Sequence, residues 1–90
     1  MPVIWRSKLF DLYQQTSYEL ENWIKLSIDS FTNPIAITAT NLSSSQLEIR
    51  LDWYGISKYE LNKTYTLLPR EFTKIKIPSM QHVTIKWRKV

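Results

Sequence analysis

The clearest pattern in the chain is a strict alternation of apolar and charged residues from Leu47 to Trp53. Successive side chains of a β-strand point to opposite faces, so the apolar residues share one face and the charged residues share the other. The apolar members are Leu47, Ile49, Leu51 and Trp53, and the charged members are Glu48, Arg50 and Asp52. A second apolar run covers residues 35–41, and the Asn/Ser cluster between the two runs is typical of a turn. The two runs predict an antiparallel pair of strands with one buried face.

Three later segments repeat this alternation and predict three further strands. Their predicted inward residues are Tyr65 and Leu67, then Ile75 and Ile77, then Val83, Ile85 and Trp87. Short strands joined by turns, without helices between them, are typical of antiparallel folds. We therefore predict an all-β fold, a small antiparallel β-sandwich of five to six strands, Ig-like or jelly-roll-like, with one N-terminal amphipathic helix.

The N-terminal segment predicts that helix, over about residues 3–15. Pro2 suits the first turn of a helix, and the apolar side chains that follow recur at helical spacing. The domain prediction is a helical arm at 1–16 and a single sandwich domain at 17–90. The helix either covers an open end of its own sandwich or docks on a neighbouring subunit. The residues predicted to dock are Trp5, Leu9, Phe10, Leu12 and Tyr13.

Residues 18–29 fit two patterns. As a strand, Leu20, Ile24 and Leu26 share a face; as a helix, Leu20 and Ile24 continue the arc of the N-terminal helix. The mediocre helix formers in this stretch, and the unusual length of the helix that would result, favour the strand.

Composition narrows the class of protein. A chain of 90 residues with 43% apolar residues predicts one globular domain with a modest core. The chain has no cysteine, so it holds no disulfide and no thiolate zinc site. Charges at Arg6, Lys8 and Asp11 interrupt the first apolar run, so neither a signal peptide nor a membrane span is expected. We expect cytoplasmic synthesis and a possible place in a virion, and we interpret the sequons at Asn41 and Asn62 as chance matches.

The net charge of +4 is concentrated in the second half, where residues 46–90 carry nine of the twelve Lys/Arg and four of the eight Asp/Glu. Four of these cations occupy even positions on the last two predicted strands: Lys74, Lys76, Lys86 and Arg88. If those strands pair as a hairpin, all four point to one face. This basic face is either solvated surface or a contact for an anionic partner, nucleic acid phosphates or an acidic protein.

No constellation of residues predicts catalysis. His82 is the only histidine and has no nucleophile motif around it, and a chain with one glycine cannot build a phosphate loop. We therefore predict no enzyme, no metal, no cofactor and no small-molecule substrate. A small core and strand edges that need cover favour self-association. The sequence predicts a structural module of a larger homo-oligomeric assembly such as a virus or phage particle, with nucleic-acid binding as the alternative.

Overall fold

The computed structural model describes residues 4–53 and 61–90. The regular secondary structure in these ranges consists entirely of β-strands. The strands are β1 (Arg6–Asp11), β2 (Ser17–Leu20), β3 (Ile24–Asp29), β4 (Ile35–Asn41), β5 (Leu47–Asp52), β6 (Thr64–Leu67), β7 (Phe72–Ile77) and β8 (His82–Lys89). They form two antiparallel sheets, the first in the order β1-β8-β5-β6 and the second in the order β2-β3-β4-β7. The predicted all-β class is confirmed, but the prediction of five to six strands is wrong, because the described residues form eight.

The alternation in the sequence places the core. Every second side chain of β3, β4, β5 and β8 is buried, and the buried faces of the two sheets form one hydrophobic cluster. Ile49 and Leu51 are fully buried, as predicted, while Trp53 and Tyr65 are half-buried and pack against the cluster. Two sheets around one core are consistent with the predicted sandwich.

The predicted N-terminal helix is wrong. Residues Arg6–Asp11 form β1, which pairs antiparallel with β8 from Arg6 opposite Trp87 to Asp11 opposite His82. The side chains follow a period of two, because Phe10 and Leu12 are buried, whereas Leu9 is exposed and Asp11 is only partly buried. The apolar residues of this segment also satisfy a helical spacing, but the segment is a strand because it pairs with β8. Within the segment predicted to be a helical arm, the residues Arg6–Asp11 are therefore a strand.

The strand interpretation of residues 18–29 is confirmed, although the segment is two strands rather than one. A tight turn separates β2 from β3, and the N–H of Trp23 donates to the C=O of Leu20 at 2.9 Å. Glu21 and Asn22 have φ angles of 53° and 62°, and positive φ at both central positions is what a type I′ turn requires. Asn tolerates this conformation well and Glu does not, which is why the sequence carried no clear turn signal.

The antiparallel pair predicted from residues 35–41 and 47–53 is wrong, because β4 lies between β3 and β7 in the second sheet and β5 lies between β8 and β6 in the first. The hairpin considered for the last two strands does not form either. β7 pairs with β4 in the second sheet, whereas β8 lies between β1 and β5 in the first. The chain crosses from one sheet to the other between Ile77 and His82. The apolar face of β7 therefore belongs to the second sheet and that of β8 to the first, and both contribute to the same core.

Asn41 connects β4 to the turn between β6 and β7 and is the one fully buried polar residue among those described. Its amide Nδ2 donates to the carbonyl oxygens of Ser45 at 2.7 Å, Leu67 at 3.0 Å and Leu68 at 3.2 Å. Its Oδ1 accepts from the N–H and the hydroxyl of Ser43, both at 2.8 Å. Every polar atom of the side chain is satisfied, as a buried amide requires. The same burial leaves the Asn41 amide inaccessible to glycosylation.

Asp11 is the last residue of β1, and its carboxylate stabilises the turn that follows. Its Oδ1 accepts from the N–H groups of Tyr13 at 2.9 Å and Gln14 at 3.2 Å, and its Oδ2 accepts from the side-chain amide of Gln81 at 3.2 Å. The hydrogen bond from the Tyr13 N–H is the largest of the effects that hold the pKa of Asp11 below its ordinary value of 3.8. His82, whose Nε2 lies 3.6 Å from Oδ2, acts in the same direction.

The pKa of Asp11 is lower in the folded state than in the unfolded state. The ionised carboxylate therefore stabilises the fold at pH values above the unfolded-state pKa, and this stabilisation is lost as the pH falls through the folded-state pKa. We expect Asp11→Asn, which keeps the acceptor for the turn, to lower the thermal midpoint at about pH 7 and to lower it progressively less as the pH falls below 3.8. Differential scanning calorimetry of both proteins over this range of pH measures the difference. A decrease that is the same at every pH would show that the charge contributes nothing.

Candidate docking surface at edge strand β1

β1 is an edge strand of the first sheet, since its only neighbour among the described strands is β8. The five residues predicted to dock lie on β1 or directly beside it, and they differ in burial. Phe10 and Leu12 are buried in the chain's own core, so they cannot contact a neighbour while the fold is intact. Leu9 and Tyr13 are 58% and 54% exposed, and Trp5 is half-buried. The buried pair anchors the strand, and the exposed pair is the part of the prediction that remains available for docking.

The backbone of β1 has a free edge. The N–H of Leu12 donates to the C=O of Gln81 at 2.7 Å, so every second residue before it, Phe10 and Lys8 included, directs its N–H and C=O towards β8. The residues between them therefore direct theirs away from β8. The C=O of Asp11 accepts from the hydroxyl of Tyr18 at 2.7 Å. In the described part of the chain, no hydrogen bond engages the backbone groups of Ser7 and Leu9.

Trp5 holds the beginning of this segment against the outer face of the first sheet. Its ring centre lies 4.3 Å from the guanidinium carbon of Arg88 and 5.2 Å from that of Arg50. Cation–π contacts at these distances stabilise by about 0.5–1 kcal/mol at exposed sites. Trp5 is therefore engaged by its own chain, and a neighbour would have to add to this packing rather than replace it.

A second Trp–cation group lies at the same end of the fold and was missed by the sequence reasoning. The ring centre of Trp23 lies 4.3 Å from Nζ of Lys89 and 5.4 Å from the guanidinium carbon of Arg6. Arg6 also pairs with Glu21 at 2.8 Å, and the other oxygen of Glu21 accepts from the indole N–H of Trp87 at 3.0 Å. One feature of the sequence indicates part of this group: the alternation along β8 places Lys89 on the same inner face as Trp87. These contacts fasten the start of β1 to the turn between β2 and β3.

The four predicted basic residues do not share one face. Lys74 and Lys76 lie on β7 of the second sheet, opposite Thr38 and Ala36 of β4. They line an open depression of about 210 Å³ together with Asp29 and the loop 32–34. Lys86 and Arg88 lie on β8 of the first sheet. The single basic face that a hairpin of these two strands would have formed is therefore absent from the described residues.

Carboxylates of β5 compensate the two cations of β8. The register places Glu48 opposite Arg88, and their ion pair measures 2.7 Å. Asp52 pairs with Lys86 at 3.2 Å and with Arg50 at 2.8 Å. The charged alternation of β5, which the sequence showed clearly, is thus the complement of the basic residues on β8. This outer face carries charges of both signs.

Residues 4–53 and 61–90 hold no group of three His, Cys, Asp or Glu side chains placed to bind a metal ion. They also hold no helix with the length and apolar character needed to span a membrane. In comparisons with known proteins, the chain matches no family model, no curated protein and no solved structure.

Proposed function

We propose that this chain is a non-enzymatic structural module that assembles with further copies of itself into a larger particle, such as a virus or phage particle. One observation carries the proposal: an edge strand anchored by Phe10 and Leu12 presents exposed Leu9, exposed Tyr13 and a free backbone edge. Unpaired strand edges attract further strands, and stable proteins cover or blunt them. Assembly would cover this one.

The size of the domain supports the same proposal. A core of this size stabilises a chain only modestly, and contacts between subunits commonly supplement it. Another large apolar side chain is exposed elsewhere, since Phe31 is 94% accessible. Single exposed apolar residues are ordinary, but they are also what subunit contacts of a particle would bury.

Nucleic-acid binding has less support than assembly. A phosphate-binding surface needs cations that are free to contact a polyanion. Arg88 and Lys86 face Glu48 and Asp52 within 3.2 Å, and Lys74 and Lys76 lie on the other sheet beside Asp29. The basic excess of the second half is thus distributed rather than concentrated.

We expect the purified chain to form a defined oligomer in light scattering coupled to size-exclusion chromatography, and to cause no electrophoretic shift of single- or double-stranded nucleic acid. Leu9→Lys should shift the population towards monomer, because it places a charge where an apolar contact is proposed, while the exposed position spares the fold. Leu68→Lys is the matched control, since Leu68 is 48% exposed and follows β6 at the opposite edge of the sheet.

Two results would contradict the proposal. One is a monomer at every concentration tested. The other is a monomer that shifts nucleic acid with a steep dependence on salt, which would establish the rival function.

A further inference from the structure

We propose that β1 pairs antiparallel with β1 of a second copy, with Leu9 opposite Leu9, so that the two first sheets join into one continuous sheet. This inference rests on the proposed function, since it names the partner and the geometry of the contact. A symmetric pair of this kind is isologous, because each copy offers the same surface to the other.

The backbone of β1 already has the arrangement that such a pair needs. Ser7, Leu9 and Asp11 direct their N–H and C=O groups to the free edge, as the bond from Leu12 to Gln81 establishes. With Leu9 at the symmetry axis, Leu9 faces Leu9 and Ser7 faces Asp11 of the second copy. Each facing pair exchanges two N–H···O bonds, so the contact adds about six. The C=O of Asp11 keeps its bond from Tyr18, since a carbonyl oxygen accepts two.

The charges on β1 are compatible with this register and exclude a neighbouring one. Moving the axis by one residue to Lys8 would place two lysines directly opposite each other, and like charges in that position destabilise a strand pair. With the axis at Leu9, Lys8 instead faces Phe10 of the second copy, and it already lies 5.6 Å from the Phe10 ring of its own chain. Arg6 is occupied by Glu21 and Trp23. Inward-pointing charges usually protect an edge strand; here they exclude the wrong register and permit this one.

The other edge strands fit a second copy less well. On β7, the backbone groups directed away from β4 belong to Phe72, Lys74 and Lys76. The antiparallel register that pairs all three would oppose Lys74 to Lys74 of the second copy. β2 and β6 contain four residues each, against six in β1. Leu9 adds an apolar contact on the outer face of the joined sheet, where its own neighbour across β8 is Thr84.

Because the chain contains no cysteine, a single introduced thiol reports one position. Leu9→Cys would place two Cα atoms about 5.5 Å apart across the proposed pair, within the range of about 4.4–6.8 Å that a disulfide spans. Phe72→Cys is the control, since Phe72 is 69% exposed and lies on the edge strand of the other sheet. Both variants are made in the full chain, checked by circular dichroism and light scattering, and oxidised at equal micromolar concentration.

We expect the Leu9→Cys dimer to form at least about tenfold faster than the Phe72→Cys dimer, because paired thiols meet at an effective concentration near millimolar. Equal rates for two folded variants would overturn the proposal. If the wild-type chain forms an oligomer but Leu9→Cys cross-links no faster than the control, the assembly function stands and the β1 pairing is wrong. If the wild-type chain is a monomer at every concentration, both proposals fail.

Discussion

Asn41→Asp is expected to lower the free energy of unfolding by about 3–5 kcal/mol, because a buried polar group that loses its partner costs about 1–3 kcal/mol. The substitution keeps the shape of the side chain and removes the amide donors. Three carbonyl oxygens, from Ser45, Leu67 and Leu68, would then face a carboxylate oxygen instead of an N–H group. An unpaired charge in a fully buried position adds its own cost.

Urea denaturation followed by circular dichroism measures this change. Ser43→Ala is the matched control, since the Ser43 hydroxyl donates to Asn41 Oδ1 at 2.8 Å but is only partly buried. Its loss should cost about 1 kcal/mol. If Asn41→Asp costs no more than Ser43→Ala, Asn41 does not hold the β6–β7 turn against β4.

Ile49→Asp is expected to abolish folding. Ile49 is fully buried on β5, between Trp87 of β8 and Tyr65 of β6. Truncating a buried Ile or Leu to Ala costs about 2–5 kcal/mol, and an unpaired carboxylate in the vacated space costs more. Because a domain of this size has a total stability of about 5–15 kcal/mol, the sum removes most or all of it.

Thr64→Asp is the control for this variant. It adds the same charge to the same sheet, but at an exposed position of β6 opposite Arg50. We expect Thr64→Asp to fold and melt cooperatively, and Ile49→Asp to be insoluble or to lack a cooperative transition in calorimetry. A soluble, cooperatively melting Ile49→Asp protein would contradict the assignment of the inward face of β5.

Much of the core was predictable because the information is local. In β5, each residue differs in polarity from its neighbours, so the face containing Ile49 and Leu51 follows from the period of a strand alone. The same holds for Ile75 and Ile77 of β7 and for Val83 of β8. None of these assignments depends on which strand lies beside them.

The candidate docking surface was predictable only in part. Docking by the segment containing Leu9 and Tyr13 stays a prediction, but the helix predicted for this segment was wrong, because apolar residues at Trp5, Leu9 and Leu12 also satisfy a helical period. Pairing with β8 supplies backbone hydrogen bonds along the whole strand and buries Phe10 and Leu12. Those partners are 71 to 81 residues away in the chain, so no local sequence pattern can reveal them.

The class of fold and the side of each central strand that faces the core follow from the sequence alone, because alternation needs only neighbours along the chain. The pairing of the strands, and with it the charge of each outer face, depends on the tertiary structure. Placing β8 beside β5 rather than β7 joined Arg88 to Glu48 and separated it from Lys74. Because β5 occupies one side of β8, β1 pairs with the other side and has no further neighbour among the described strands. Strand pairing is a contact between distant segments, and alternating strands satisfy many pairings equally well until the whole core is packed.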